Sequence, residues 1–133
     1  MSIGWRALDA FNHLGANARD KFAWSAQSDD RTITVLTLWQ DEVTDDGHTV
    51  IANHMGSPTL HLWITSPRNR RRIRHLQDVW NGDRTFRVVM LQAKNDKAVP
   101  RSPKRRWPDE ALIMTLLDFN PDTGEFRAEG THA

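Results

Sequence analysis

The chain has 133 residues, the length of one domain, with 38% hydrophobic and 26% charged side chains and a formal net charge of +1. It contains no cysteine, which excludes a disulfide framework, thiolate metal sites and cysteine nucleophiles. No apolar run approaches the roughly 20 residues needed to cross a bilayer, so no membrane association is expected.

The opening MSIGWRALDAFNHLG has no basic stretch followed by an apolar run, so no signal peptide is expected and the cytoplasm is the expected location. Instead, Ser2 can cap a helix over 3–14, with Trp5, Leu8, Phe11 and Leu14 near helical spacing and Gly15 as its stop. FAWSAQ, SDD and RTITVLTLW then read as a hairpin. In its second arm Ile33, Val35, Thr37 and Trp39 share one face and Leu36 and Leu38 the other, which places this strand inside a sheet. QDEVTDDGH is an acidic loop, HTVIA a short strand and NHMGSP a turn or mobile loop. TLHLWIT alternates Leu60, Leu62 and Ile64 against His61 and Trp63 and is expected as a strand.

A helix is expected over 69–80, with Ile73, Leu76, Val79 and Trp80 as its apolar stripe and Asn81-Gly82 as its end. TFRVVMLQA reads as a buried strand. KNDKAVPRSPKRRWPDE, with three prolines and six basic residues, fits neither period and is expected as a long loop. ALIMTLLDF and EFRAE are the last strands, joined by NPDTG. There Pro121 suits the second position of a turn, and Gly124 is free to take positive φ. The element order predicts a single α+β domain: a curved, mostly antiparallel sheet or open β-barrel with two flanking helices.

Charge is unevenly placed. From Arg68 to Arg106 there are thirteen Lys or Arg and three acids, a balance of +10, while the other 94 residues carry a balance of −9. Such segregation inside one domain is the footprint of a polyanion binder. Arg68, Arg70, Arg71, Arg72 and Arg74 are therefore candidate phosphate contacts, extended by Lys97, Arg101, Lys104, Arg105 and Arg106. Clustered cations bind polyanions by releasing condensed counterions, and arginine suits bidentate phosphate recognition. The competing reading is a solvated helix face plus a loop, with some arginines paired to the acidic half.

Trp24, Trp39, Trp63 and Trp107 fall near strand ends or loops, where a ring can stack on a base. Trp107, set among cations in KRRWPDE, is the leading choice; core packing is the common fate of the others. Two enzymatic or metal alternatives are weaker. Asp83 precedes a strand ending in Gln92-Ala93-Lys94, a spacing met in metal-dependent nucleases, but Gln92 stands where a second carboxylate belongs. His48, His54 and His61 lie near acidic residues without a metal-binding spacing. No Walker loop, GxGxxG or GxSxG is present, and no cofactor or catalytic residue is expected.

WSAQSDDRTITVLTLWQDE, RVVMLQAKNDKAVPRS and LLDFNPDTGEFRAE together resemble a group of small bacterial and phage-associated proteins. That resemblance covers most of the chain and carries over no catalytic residue. The order of elements resembles the PUA-like barrels, which implies RNA binding or the reading of a modified, flipped DNA base in an aromatic-lined pocket. The expected function is a nucleic-acid-binding module. A small metal-dependent nuclease and a protein-interaction module with an acidic partner are the alternatives.

Overall fold

In the computed structural model, residues 5–95, 97 and 102–132 are described. Among the described residues there are three α-helices: α1 (Ala7–His13), the single turn α2 (Leu60–Trp63) and α3 (Pro67–Asn81). The strands are β1 (Ser25–Gln27), β2 (Thr34–Trp39), β3 (Val43–Asp45), β4 (Thr49–Asn53), β5 (Thr85–Ala93), β6 (Pro103–Phe119) and β7 (Phe126–His132). They form one curled sheet in the order β1-β2-β5-β6-β7-β4-β3. The architecture is α+β with a curved sheet, as the pattern of elements predicts. Five of its six strand pairings are antiparallel; the exception is β2 with β5, which run parallel because α3 carries the chain back across the sheet.

Both faces of β2 and β5 are covered, as the two-sided apolar pattern of β2 requires. Leu36, Leu38, Val88 and Met90 join the main core beneath α3, with Leu76, Val79, Leu112, Met114 and Phe126. Val35, Val89 and Leu91 face the other way, against Ala10 and Phe11 of α1. The strands on the β7 side are covered on one face only: Leu112, Met114 and Leu116 are buried while Ile113 and Leu117 are exposed. No helix among the described residues is long and apolar enough to cross a membrane.

Several local expectations are corrected. In the stretch expected as an acidic loop, Gln40–Glu42 forms a 3-10 turn and Val43–Asp45 forms β3, paired with β4. The stretch expected as a strand over 59–65 forms α2. Leu60, Trp63 and Ile64 are its less exposed positions, a spacing of three and four that fits a helix, while Leu62 is 53% exposed. The basic segment expected as one long loop is strand from Pro103 onward, forming the first half of β6. Its prolines sit where a strand tolerates them. Pro103 opens the strand, and Pro108 lies beside an irregularity in which residues 109–112 oppose the single position Val88. The helix expected over 3–14 is described from Ala7, and its proposed cap Ser2 lies outside the described residues.

The second main helix starts earlier than its apolar stripe suggests. Ser66 Oγ accepts from the Arg68 backbone N–H and Pro67 occupies the first helical position, so the cap precedes the stripe.

Candidate nucleic-acid interface

Helix α3 lies along β1 and runs against the direction of β2. Gln27 Nε2 donates to Asp78 Oδ2 at 3.1 Å, and Ser25 Oγ lies 2.6 Å from His75 Nδ1. Further toward its N-terminus, the Arg72 guanidinium stands over Trp24 at 5.0 Å and that of Arg68 over Phe22 at 5.4 Å. Because Gln27 pairs with Thr34 and Ser25 with Leu36, moving from Asp78 to Arg68 follows β2 toward its C-terminal end. Strand β5 ends at that same side, and β6, antiparallel to it, begins there, with Arg105 opposite Gln92 and Arg106 opposite Leu91. The topology thus brings the first turns of α3 and the start of β6 to one end of the sheet.

The cations gathered there differ in their environments. Arg70 and Arg74 are exposed, Arg68 and Arg71 half-buried, and Arg70 Nη1 is steadied by the Thr65 carbonyl at 3.1 Å. Lys104 and Arg105 are exposed, and Arg105 stands over Trp107 at 5.4 Å, on the α3 face. Arg106 shares the opposite face with Leu91, where partial burial lowers its pKa. Lys97 is exposed, and Arg101 lies outside the described residues.

Arg72 is turned inward. Its guanidinium is enclosed by Trp24, Trp63 and Phe126 at 5.0, 5.3 and 5.4 Å, and Nη2 donates to Asn69 Oδ1 at 3.3 Å. Its Nε is sealed from solvent without a hydrogen-bond partner among the described residues. Burial pushes its pKa down to about 10, with the Glu42 carboxylate acting the other way. This arginine ties α3 to the sheet, and its surroundings leave little of it for a phosphate.

The tryptophans are similarly committed. Trp107 packs on the main core, Trp39 on the second, and Trp24 and Trp63 surround Arg72. The aromatic at the basic end that sequence reasoning missed is Phe22. It is 58% exposed and flanked by Lys21 Nζ at 5.1 Å as well as by Arg68. KFAW carries only the hint of an aromatic beside a cation; its meeting with Arg68 depends on the fold.

The nuclease-like spacing does not assemble. Asp83 precedes β5 and Lys94 follows it, roughly 30 Å apart along a nine-residue strand. Asp83 Oδ1 accepts from Thr85 N at 2.9 Å and Thr85 Oγ1 at 2.8 Å, a local turn that lowers its pKa. Beside Lys94 and Gln92 stands Asp41 instead, in a shallow recess of about 380 Å³.

The three histidines also stay apart. His48 and His61 are exposed, while His54 packs on Phe126 at 4.8 Å, with its pKa lowered to about 4 by burial and by Arg72. Among the described residues no group of three or more His, Asp or Glu is arranged to hold a metal.

Comparison of the chain with models of protein families, with curated proteins and with solved structures found no match.

Proposed function

We propose that this domain is a nucleic-acid-binding module whose contact surface is the basic end of the sheet, formed by the start of α3 and the start of β6. The observation that carries the reading is topological. Two basic segments more than twenty residues apart in sequence arrive at one end, and Arg105 faces the same side as α3. A solvated helix face and an unrelated loop would have no reason to converge. The positive end of the α3 dipole adds to the field these side chains create.

The contact is with phosphates first, which position a nucleic acid without reading its sequence. The resemblance to PUA-like barrels would add a pocket for a flipped base. The aromatic enclosure of Trp24, Trp63 and Phe126 already holds Arg72, so the proposed surface is a backbone-binding one.

The test is binding of labelled duplex and single-stranded oligonucleotides at several salt concentrations. Affinity should fall linearly on logarithmic axes as salt rises. Replacing Arg70, Arg71 and Arg105 together with Ala should weaken binding to every sequence and flatten the slope by about 0.7–0.9 for each phosphate that is no longer neutralised. Arg72 is left out of that variant because its removal would disturb the fold. Unchanged affinity would place the contact elsewhere, and no binding by the unmodified protein at low salt would end the reading.

A further inference from the structure

We infer that Phe22 is a stacking platform for an unpaired base, and that the domain therefore prefers single-stranded nucleic acid to duplex. This rests on the nucleic-acid reading above and adds the residue that distinguishes bases from bare phosphates.

Phe22 is the most exposed large apolar side chain among those described, at 58%. Trp5, by comparison, is 38% exposed and packs edge-on against His13 at 5.1 Å. An aromatic left so open gains little for folding, since most of its area stays in water. Its backbone is nevertheless held in a turn: Asp20 Oδ1 accepts from the Phe22 backbone N–H at 2.8 Å, and Ala23 N–H donates to the Asp20 carbonyl at 3.3 Å. Three residues on, Ser25 begins β1 behind α3. A ring presented on a defined turn at the edge of a packed helix is placed to receive a ligand without first being ordered.

Charge complementarity identifies the ligand. Lys21 and Arg68 approach the ring at 5.1 and 5.4 Å, and Arg70 and Arg71 follow on the same helix. Lys21 is itself exposed, so its long stem can swing from the ring to a phosphate. An aromatic surface bordered by cations matches the two repeating parts of a single strand, a flat base and a charged phosphate. Duplex DNA hides its base faces in the stack and offers such a ring nothing to cover. A peptide of acidic residues alone would satisfy the cations and leave the ring without a partner.

The experiment measures binding of the intact chain to four probes of equal length: oligo-dT, oligo-rU, an abasic strand and a duplex. Unmodified protein should bind the base-bearing strands about tenfold tighter than the abasic strand, the scale of one stacked base. Phe22→Ala should erase that preference and keep the salt slope, while Phe22→Trp should retain it. Arg68→Ala should weaken all four probes and flatten the slope. Either pentose supports the assignment, provided Phe22→Ala removes the preference over the abasic strand.

The inference is overturned if Phe22→Ala binds oligo-dT and oligo-rU like the unmodified protein, or if it weakens base-bearing and abasic strands equally. Should those results come with intact, salt-dependent binding, the nucleic-acid reading survives without Phe22. Absence of binding to any probe removes both. Phe22 is mostly solvated, so its replacement leaves the core intact, and an unchanged thermal transition checks that.

Discussion

Replacing Asn69 with Ala tests how α3 is anchored. Asn69 has 0% exposed surface and sits near the N-terminal end of the helix. Its Nδ2 donates to the Ile64 carbonyl at 3.1 Å and to the Thr123 carbonyl at 2.9 Å. Its Oδ1 accepts from Arg72 Nη2 at 3.3 Å, so one amide joins the chain before α3, the β6–β7 turn and the buried guanidinium. Asn69→Ala removes one partner from each of these bonds and leaves the others inside. A buried polar group deprived of its partner costs about 1–3 kcal/mol. Taking the two carbonyls near the middle of that range, and allowing for their second lone pairs, the destabilisation is about 3 kcal/mol. For a domain of this size that lowers Tm by about 10 °C. Thermal melts followed by circular dichroism, paired with urea titration, measure it. The helical signal at low temperature should be unchanged, because the Ser66 cap is untouched. A fall of less than about 3 °C would show that water or local relaxation replaces the amide, and would rule out Asn69 as the anchor.

The buried cations and imidazoles carry two further outcomes. Arg72→Met keeps the volume among Trp24, Trp63 and Phe126 and removes a costly buried charge, so stability should stay within about 1 kcal/mol. Arg72→Ala empties that space and should cost about 2–4 kcal/mol; urea midpoints in the opposite order would refute this account. His54 and His75 both have pKa values lowered to about 4, chiefly by burial. Arg72 adds to the effect at His54; Arg74 and Arg71 add to it at His75, while Asp78 opposes them. The unfolded chain then binds more protons than the folded one between about pH 6.5 and pH 4, so stability falls as pH drops through that window and levels off below it. Urea midpoints across pH 4–7 should show this slope, and the His54→Gln/His75→Gln double variant should flatten it.

Local patterns predicted the elements whose period was unambiguous. Both faces of β2 could be read from Val35 and Trp39 against Leu36 and Leu38, and the Asn120–Gly124 turn was legible from Pro121 and Gly124, whose φ is +86°. TLHLWIT is ambiguous because so short an apolar run satisfies either period, and the partial burial of the neighbours Trp63 and Ile64 goes with its helical turn. The basic segment looked irregular because prolines in a strand are informative only once its bulge is known. The candidate site was legible as a segregation of charge and illegible as a geometry. Arg72 stands four residues before Leu76, on the inward stripe of α3, whereas Arg70 two residues earlier points to solvent; the three rings that enclose Arg72 come from segments that only the fold brings to it. Cations surround Trp107 in sequence, and in the folded chain its pairing opposite Met90 places it, partly buried, against the main core.

The same helix holds both kinds of arginine for a reason that bears on recognition. Along α3, Asn69, Arg72, Leu76 and Val79 engage the sheet and turns, while Arg70 and Arg74 remain exposed between them. The inward set fixes the helix by packing, cation–π contact and hydrogen bonds, so the outward set is presented without ordering the helix on binding. A basic helix held only by its own propensity would have to meet that cost from the affinity it provides. Arg68 stands at the boundary between the sets, with its backbone in the Ser66 cap and its guanidinium over Phe22. It couples a fixed scaffold to an open ring, and this is why the proposed base contact is assigned to that corner of the surface rather than to the more strongly basic stretch at Lys104–Arg106.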